Sequence, residues 1–183
     1  MKAVMETMRI ETTRLEIIAA TPEIIRAEIG ERERLTTLLG ASVPPNWPPE
    51  FIDLQTMTFV LEKLESGPEH ADWWTWYVLR KSSGEGERVL MGVGGFKGPP
   101  DAHQSVEIGY SMLSQFQNQG YASEAVSGMV DWAFAQNVES VSAETLPELS
   151  ASIRVLEKNG FTFQGEGSEP GVIGFRKDKS QAN

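Results

Sequence analysis

The chain has 183 residues and contains no cysteine, which excludes disulfide bonds, thiolate metal sites and a cysteine nucleophile. Apolar residues make up 40% and charged residues 23% of the sequence, proportions typical of a globular protein rather than a disordered or collagen-like one. The formal net charge of -10 opposes binding to nucleic acids and to anionic membranes. We therefore expect a single cytoplasmic domain over residues 1–183, with a short N-terminal extension (1–12) and a frayed tail (178–183).

The first third of the chain predicts a strand, two helices and a rigid loop. Residues 14–19 (RLEIIA) form the strand, and a Thr-Pro pair that follows them is a helix start. A roughly helical apolar repeat predicts one helix over 22–40, and a further helix is expected over 50–66. The four prolines of 44–49 exclude helix and central strand. Trp47 in this loop either walls a substrate pocket or covers the core.

The middle of the chain predicts three consecutive strands. Residues 73–81 and 89–96 are rich in aromatic and branched side chains, and the polar, glycine-containing segment 82–87 between them marks a β-hairpin. The next strand, 106–113, follows a Gly-Pro-Pro-Asp connection. These three strands are expected to form an antiparallel meander.

The last third of the chain alternates helices and strands. Residues 122–134 carry apolar side chains at spacings of three and four, which is typical of an amphipathic helix. A strand over 140–146, a short helix over 150–159 and a strand pair over 161–164 and 172–176 follow. The complete order of strand, two helices, three strands, helix, strand, helix and two strands predicts an α/β sheet with helices on its faces.

The turn between the strand at 106–113 and the strong helix carries the first functional signal. Its residues, 117–122 (QNQGYA), include a glycine beside the helix start. Such a turn directs backbone N–H groups outward at the positive end of the helix dipole, which suits a phosphate without requiring a lysine. The other glycine clusters lie in the hairpin or within a strand, and none opens a helix as dinucleotide-binding or P-loop motifs require.

Three segments resemble the GNAT acetyltransferases, and in particular the RimJ and RimL branch of ribosomal-protein alanine N-acetyltransferases. Residues 107–110 (EIGY) resemble the fourth-strand signature of that branch, 117–125 (QNQGYASEA) its pyrophosphate loop, and 152–161 (SIRVLEKNGF) its last helix. The segments occur in the expected order and spacing, and the resemblance extends over roughly residues 14–177. It implies the GNAT acyl-CoA N-acyltransferase fold, a mixed and mostly antiparallel seven-stranded sheet flanked by about four helices.

The resemblance also implies acetyl-CoA as the co-substrate, bound where the fourth and fifth strands of the sheet splay apart. Pantetheine would pair with the fourth strand, and the backbone of residues 119–123 would hold the pyrophosphate. The residues that the resemblance assigns to acetyl-CoA are Ser111, Met112, Leu113, Gln117, Asn118, Gln119, Gly120, Tyr121, Ala122, Ser123 and Leu149. Arg154 and Lys158 would either reach an outer phosphate of the nucleotide or complement the dipole of the last helix.

Direct acetyl transfer needs a base for the amine, a donor to the developing oxyanion and a proton for the departing thiolate. Strand alternation places Glu107 on the same face as Gly109 and Ser111, where small residues leave room for a substrate. Glu107 is the candidate base, acting through a water, and its alternative role is that of a paired or solvated strand carboxylate. Ser152 stands where the RimJ and RimL branch has a serine, so it is the candidate thiolate contact. Its alternative role is that of a polar group at a helix N-terminus.

Two positions depart from the family pattern. Where the family often has an asparagine and, seven residues later, a tyrosine acid, this sequence has Leu149 and Leu156. His70 and His103 lie in polar loops and lack companions at metal-ligand spacing, so no metal is expected.

The sequence therefore predicts an N-acetyltransferase that uses acetyl-CoA to acetylate an amine, with a protein N-terminus as the expected acceptor and a small-molecule amine as the alternative. A CoA-binding regulator with little catalysis is the alternative, motivated by Leu149 and Leu156. No nucleic-acid or membrane partner is expected, and a homodimer is among the assemblies that the sequence allows.

Overall fold

The computed structural model describes residues 7–50, 52–82 and 86–181. Within these residues the chain forms eight strands and five α-helices. The strands are β1 (Arg9–Glu11), β2 (Leu15–Ala19), β3 (Thr75–Arg80), β4 (Val89–Phe96), β5 (Ser105–Met112), β6 (Ser140–Thr145), β7 (Thr162–Glu166) and β8 (Ile173–Asp178). The helices are α1 (Pro22–Gly30), α2 (Arg32–Leu39), α3 (Leu54–Ser66), α4 (Tyr121–Ala135) and α5 (Ser150–Lys158).

All eight strands belong to one continuous sheet in the order β1-β2-β3-β4-β5-β6-β8-β7. Neighbouring strands are antiparallel except for β5 and β6, which are parallel. A parallel pair needs a crossover connection, and α4 supplies it here. The parallel pair and the helix that connects it therefore lie together near the middle of the sheet.

Alternate side chains of the strands pack into two apolar clusters, one on each face of the sheet. On the α4–α5 face, α4 and Leu156 of α5 pack against residues such as Trp76 and Ile108. On the α1–α3 face, the first three helices pack against residues such as Tyr77 and Val93. The amphipathic helices thus cover both faces of the sheet, as the element order predicts.

The helix predicted over 22–40 is two helices, because Glu31 leaves the helical conformation. Its backbone has φ -141° and ψ 84°, and its amide still bonds to Ala27 O at 2.8 Å. The residue before it is Gly30, and glycine weakens a helix by about 1 kcal/mol relative to alanine. The break raises the helix count to five and directs Leu35 and Leu39 of α2 into the same cluster that α1 covers.

The sequence does not predict β1, which lies inside the segment expected to be an N-terminal extension. Three residues are too few to show a period, and β1 forms because Arg9, Ile10 and Glu11 pair with β2. Ile10 also packs against the cluster on the α4–α5 face. This strand raises the strand count from the expected seven to eight.

Of the tail expected to be frayed, 178–183, residues 182 and 183 lie outside the described residues, and 178–181 have regular structure. β8 continues to Asp178, and Lys179–Gln181 form one turn of 3-10 helix. The amide of Lys179 donates to Glu139 O at 2.9 Å, a tertiary bond that no local pattern reveals. The predicted tip of the hairpin between β3 and β4 lies partly outside the described residues, at 83–85.

Trp47 packs on the α1–α3 face. Its ring centroid lies 6.3 Å from that of Tyr77, and its indole N–H donates to Glu28 Oε1 at 2.6 Å. Burial raises the pKa of Glu28 above its ordinary value of 4.5, against the opposing effect of the Trp47 hydrogen bond. Of the two roles that the sequence leaves open for Trp47, these contacts match that of a cover over the core.

β5 and β6 pair over only three residues of each strand, 105–107 with 140–142. Beyond this stretch, β5 remains paired with β4 and β6 with β8. The two strands therefore separate after Glu107, as the resemblance implies. This opening, the β5–β6 gap, is the feature of the fold that positions the candidate site.

Candidate active site

The β5–β6 gap exposes backbone groups of β5. The amide of Leu113 donates to Met91 O of β4 at 2.9 Å, so the odd-numbered residues of β5 direct their backbone groups toward β4. Backbone groups alternate between the two edges of a strand, and those of Ile108, Tyr110 and Met112 therefore face the gap. Met112 thus offers its backbone where pantetheine is expected, whereas the amide of Leu113 is already bonded.

The side chains of β5 alternate between the two faces as predicted. Ile108 and Met112 are buried in the cluster on the α4–α5 face, so Gly109 and Ser111 lie on the α1–α3 face with Glu107. A Cβ built on Gly109 would meet no atom within 4 Å. The α1–α3 face of β5 is therefore open beside the gap.

The loop after β5 enters α4 through left-handed residues. Asn118 has φ 58° and Gly120 has φ 81°, and Gly120 is the N-cap of the helix. The amide of Glu124 bonds back to Gly120 O at 3.0 Å, and the amides before it lie at the positive end of the helix dipole, where they suit an anion. These are the amides of Tyr121, Ala122 and Ser123.

Two glutamine side chains fold back to hold this loop. Gln117 Nε2 donates to Met112 O at 3.0 Å, and Gln119 Nε2 donates to Gln115 O at 2.8 Å. Both bonds stay within the connection between β5 and α4. The side chains of Gln117 and Gln119 therefore shape the predicted pyrophosphate loop, and its backbone is left to contact a ligand.

Arg14 braces the same loop, a role that sequence reasoning misses. Its Nη1 donates to Gln119 O at 3.0 Å and its Nε donates to Glu124 Oε2 at 2.6 Å. Its Cζ lies 4.3 Å from the centroid of the Tyr121 ring. Arg14 and Gln119 are 105 residues apart in the chain, so no local pattern signals the contact.

Glu124 fixes the N-terminal segment to α4. Its Oε1 accepts from Thr12 Oγ1 at 2.6 Å and from Arg14 N at 2.7 Å. Burial by itself raises the pKa of Glu124, but these hydrogen bonds and the Arg14 charge outweigh it and hold the pKa below its ordinary value. The carboxylate is therefore ionised at neutral pH and keeps the Arg14 guanidinium beside the loop.

Glu107 lies where the pairing of β5 with β6 ends. Its carboxylate forms an ion pair with the Lys97 ammonium, and the Glu107 side chain is 27% exposed. Lys97 is largely exposed, so solvent reaches this ion pair. The two roles that the sequence leaves open, base and paired carboxylate, are both compatible with this arrangement.

Ser152 lies in the first turn of α5 and contacts β5. Tyr110 Oη is 3.1 Å from both the Oγ and the carbonyl oxygen of Ser152. Burial raises the pKa of Tyr110 to about 12, although the Ser152 hydrogen bond acts against it. The phenol is therefore protonated at neutral pH. Sequence reasoning places Tyr110 in a strand signature but does not predict this contact across the gap.

The two leucines that depart from the family pattern occupy different environments. Leu149 precedes α5 and is 39% exposed, whereas Leu156 is 0% exposed and packs in the cluster on the α4–α5 face. Neither side chain can donate or accept a hydrogen bond. At the other end of α5, Asn159 Nδ2 donates to Ser123 O at 3.2 Å, which joins α5 to the first turn of α4.

A cavity of about 130 Å³ separates the proline-rich loop from the end of β5. It is lined by Asn46, Pro48, Pro49, Glu50, Met112, Leu113, Ser114 and Gln117. Reciprocal amide hydrogen bonds of 2.8 and 3.2 Å join Asn46 to Gln115 and connect the loop to the chain after β5. A second cavity, of about 380 Å³, lies between the N-terminal segment and α4 and contains none of the predicted site residues.

The chain contains two histidines, His70 and His103. His70 Nδ1 accepts from Trp74 Nε1 at 3.3 Å. Over the described ranges, no three His, Asp or Glu side chains come together as a metal site. In that same part of the chain, no helix is both long and apolar enough to cross a membrane.

The separated strands β5 and β6 and the amides at the start of α4, which suit an anion, are features expected of an α/β protein that binds an acyl-CoA. A family model described as an acetyltransferase (GNAT) domain matches residues 27–162. The chain therefore belongs to the GNAT acetyltransferase family, whose members transfer an acetyl group from acetyl-CoA to an amine.

Similar proteins include a relative named as an N-acetyltransferase and two acetyltransferases of the same fold. YjdG of Bacillus subtilis (strain 168), named as an uncharacterised N-acetyltransferase, is 24% identical over 161 residues, which are 87% of this chain and 93% of that protein. The ribosomal-protein-S5-alanine acetyltransferase of Vibrio fischeri has a TM-score of 0.64 at 20% identity, with 96% of this chain and 99% of that chain covered. RimL, a ribosomal L7/L12 alpha-N-protein acetyltransferase solved with coenzyme A, has a TM-score of 0.61 at 19% identity, with 93% and 98% covered.

Proposed function

We propose that this protein acetylates the N-terminal amine of a protein or peptide by direct transfer from acetyl-CoA. The observation that carries the proposal is the open α1–α3 face of β5 beside Glu107, where a Cβ at Gly109 would meet nothing within 4 Å. A chain end can approach the gap along such a face without a closed pocket. The names of two proteins of similar fold, which specify ribosomal-protein acceptors, add support.

The residues present fit acetyl-CoA, which supplies the acetyl thioester when bound. The amides of residues 121–123 suit the pyrophosphate, and the backbone groups of Tyr110 together with the amide of Met112 suit the amides of pantetheine. Arg14 keeps the loop in shape through Gln119 O. This distribution supports binding of the co-substrate at β5 and α4, with the acceptor on the α1–α3 face.

The proposed reaction begins when the neutral amine attacks the thioester carbonyl carbon and forms a carbon–nitrogen bond. Glu107, acting through a water, accepts the proton that the nitrogen loses. The carbon–sulfur bond then breaks, and the electron pair leaves with the sulfur, which accepts a hydrogen bond from Ser152. The thiolate takes a proton from water, and Glu107 gives the amine proton to the hydroxide that remains, so one proton in total passes from amine to thiol and the products are an acetamide and free CoA.

Two alternatives have specific support. A small-molecule amine would suit the modest cavity of about 130 Å³ beside Met112 and Leu113. A CoA-binding regulator would suit the apolar Leu149 and the buried Leu156, which stand where the family often has hydrogen-bonding groups. We propose the cytoplasm as the place of N-terminal acetylation, because new protein N-termini arise there.

The acceptor class is tested by incubating the protein and acetyl-CoA with peptides that have free N-termini, the same peptides with blocked N-termini, polyamines, amino acids and aminoglycosides. Mass spectrometry detects the added acetyl group, and release of free thiol is followed in parallel. We expect acetylation of the free peptides and none of the blocked ones. Acetylation confined to small amines would identify the first alternative, and CoA binding without thiol release would identify the second.

A further inference from the structure

Tyr110 and Ser152 form a pair of hydroxyl groups across the β5–β6 gap. Tyr110 Oη lies 3.1 Å from Ser152 Oγ and 3.1 Å from Ser152 O. The phenol has one proton, so it donates to only one of these oxygens at a time. If the carbonyl oxygen receives it, the Ser152 hydroxyl donates to Tyr110; if Ser152 Oγ receives it, the serine proton is free for another acceptor.

The pair lies beside the part of β5 that is available to a thioester. β5 and β6 stop pairing at Glu107, and Tyr110 lies three residues further on, about 10 Å along the strand. Tyr110 and Ser152 are both half-buried. Tyr110 packs against the cluster on the α4–α5 face, and neither residue of the pair is fully buried there.

We propose that Tyr110 is a positioning residue that directs the Ser152 hydroxyl at the sulfur of the departing CoA. The tyrosine acid that the family often has at the position of Leu156 is missing here, so the departing sulfur needs another hydrogen-bond donor. This inference rests on the proposed function, because it requires Ser152 to lie beside the leaving thiolate.

The step needs no proton transfer from either hydroxyl group. When the thioester is bound, Tyr110 donates to Ser152 Oγ, and the serine proton points to the sulfur. As the carbon–sulfur bond breaks, its electron pair goes to sulfur, which accepts the serine hydrogen bond and then a proton from water. Because burial raises the pKa of Tyr110 to about 12, the phenol remains a donor over the neutral pH range.

A purely structural role for Tyr110 makes a different prediction. If the phenol donates only to the carbonyl oxygen of Ser152, it anchors the first turn of α5 to β5. That anchor does not depend on the serine side chain, so it would persist in Ser152→Ala. The two roles are therefore separated by asking whether the effect of Tyr110→Phe requires the Ser152 hydroxyl.

The experiment is a double-mutant cycle with Tyr110→Phe, Ser152→Ala and the double variant, read out as kcat, KM for acetyl-CoA and CoA affinity. We expect each single variant to lower kcat roughly tenfold with CoA affinity unchanged, and the double variant to be no slower than Ser152→Ala. Tyr77→Phe is the matched control, since it removes the hydroxyl of a fully buried tyrosine on the other face, and it should retain full turnover.

Additive losses, which would give roughly a hundredfold fall in the double variant, would overturn the inference and leave Tyr110 as an anchor. Should Tyr110→Phe not fold, 3-fluorotyrosine at position 110 provides a second test because it keeps the ring and lowers the pKa of the phenol, which can direct the serine only while it is protonated. An alkaline fall in kcat that is absent from Ser152→Ala supports the inference, and the same pH profile of kcat in both proteins overturns it. A wild-type protein that acetylates no amine would overturn the proposed function as well, whereas an additive cycle in an active enzyme overturns the inference alone.

Discussion

Gly120 provides a direct test of where the pyrophosphate binds. Its φ of 81° and ψ of 0° lie in the left-handed region, which costs a residue with a Cβ about 1–2 kcal/mol and a branched residue more. A Cβ there would also lie 3.2 Å from Arg14 Nη2, so the methyl groups of a valine would displace the guanidinium from Gln119 O. We therefore expect Gly120→Val to change the shape of the loop.

The expected loss of CoA affinity in Gly120→Val follows from the backbone strain. If CoA binding must restore the shape that glycine adopts, the binding free energy falls by at least the strain of about 1–2 kcal/mol. That loss corresponds to roughly a 5- to 30-fold rise in the Kd for CoA. The same energy is small beside the stability of a typical domain, about 5–15 kcal/mol, so the fold should survive.

Calorimetric titration with CoA measures the effect, and Gly171→Val is the matched control. Gly171 lies between β7 and β8 with φ 87°, and a Cβ there meets no atom within 4 Å. It should therefore lose comparable stability in urea unfolding while binding CoA like the wild type. A Gly120→Val variant with wild-type CoA affinity would refute the assignment of the pyrophosphate to this loop.

Three further substitutions test the remaining assignments. Glu107→Gln keeps the size of the side chain but removes its basicity, so turnover should fall about a hundredfold or more with CoA affinity unchanged; an undiminished kcat would leave Glu107 only as the partner of Lys97. If Leu149 packs against the acyl chain, Leu149→Asn should lower kcat/KM more for longer acyl-CoAs than for acetyl-CoA, by roughly fourfold for each methylene that the leucine covers. A uniform gain in kcat/KM would contradict this packing. Burial raises the pKa of Glu28 in the folded protein. The stability that Glu28 contributes is therefore present below the ordinary pKa of a glutamate and is lost as the pH rises through the pKa of the folded state. Glu28→Gln keeps an acceptor for Trp47 and should raise Tm at about pH 8 but not at about pH 4. A change in Tm that is the same at both pH values would show that the charge of Glu28 does not cause it.

Local patterns in the sequence determine the elements that carry the candidate site. The three- and four-residue spacing of apolar side chains predicts α4, and the glycine before that helix predicts a turn that only a residue without a Cβ adopts easily. Alternation along β5 places Glu107 and Ser111 on one face and Ile108 on the other. These features follow from interactions within a few residues, which a single sequence records directly.

Contacts between distant segments are decided only by the tertiary structure. Arg14 meets Gln119 across 105 residues of chain, and Tyr110 meets Ser152 across 42 residues. Likewise, β1 exists because β2 offers it an unpaired edge, not because three residues have a strand pattern of their own. Each of these contacts joins polar groups whose local sequence allows many partners, so the choice among them is made when the sheet assembles and α4 and α5 pack on its face.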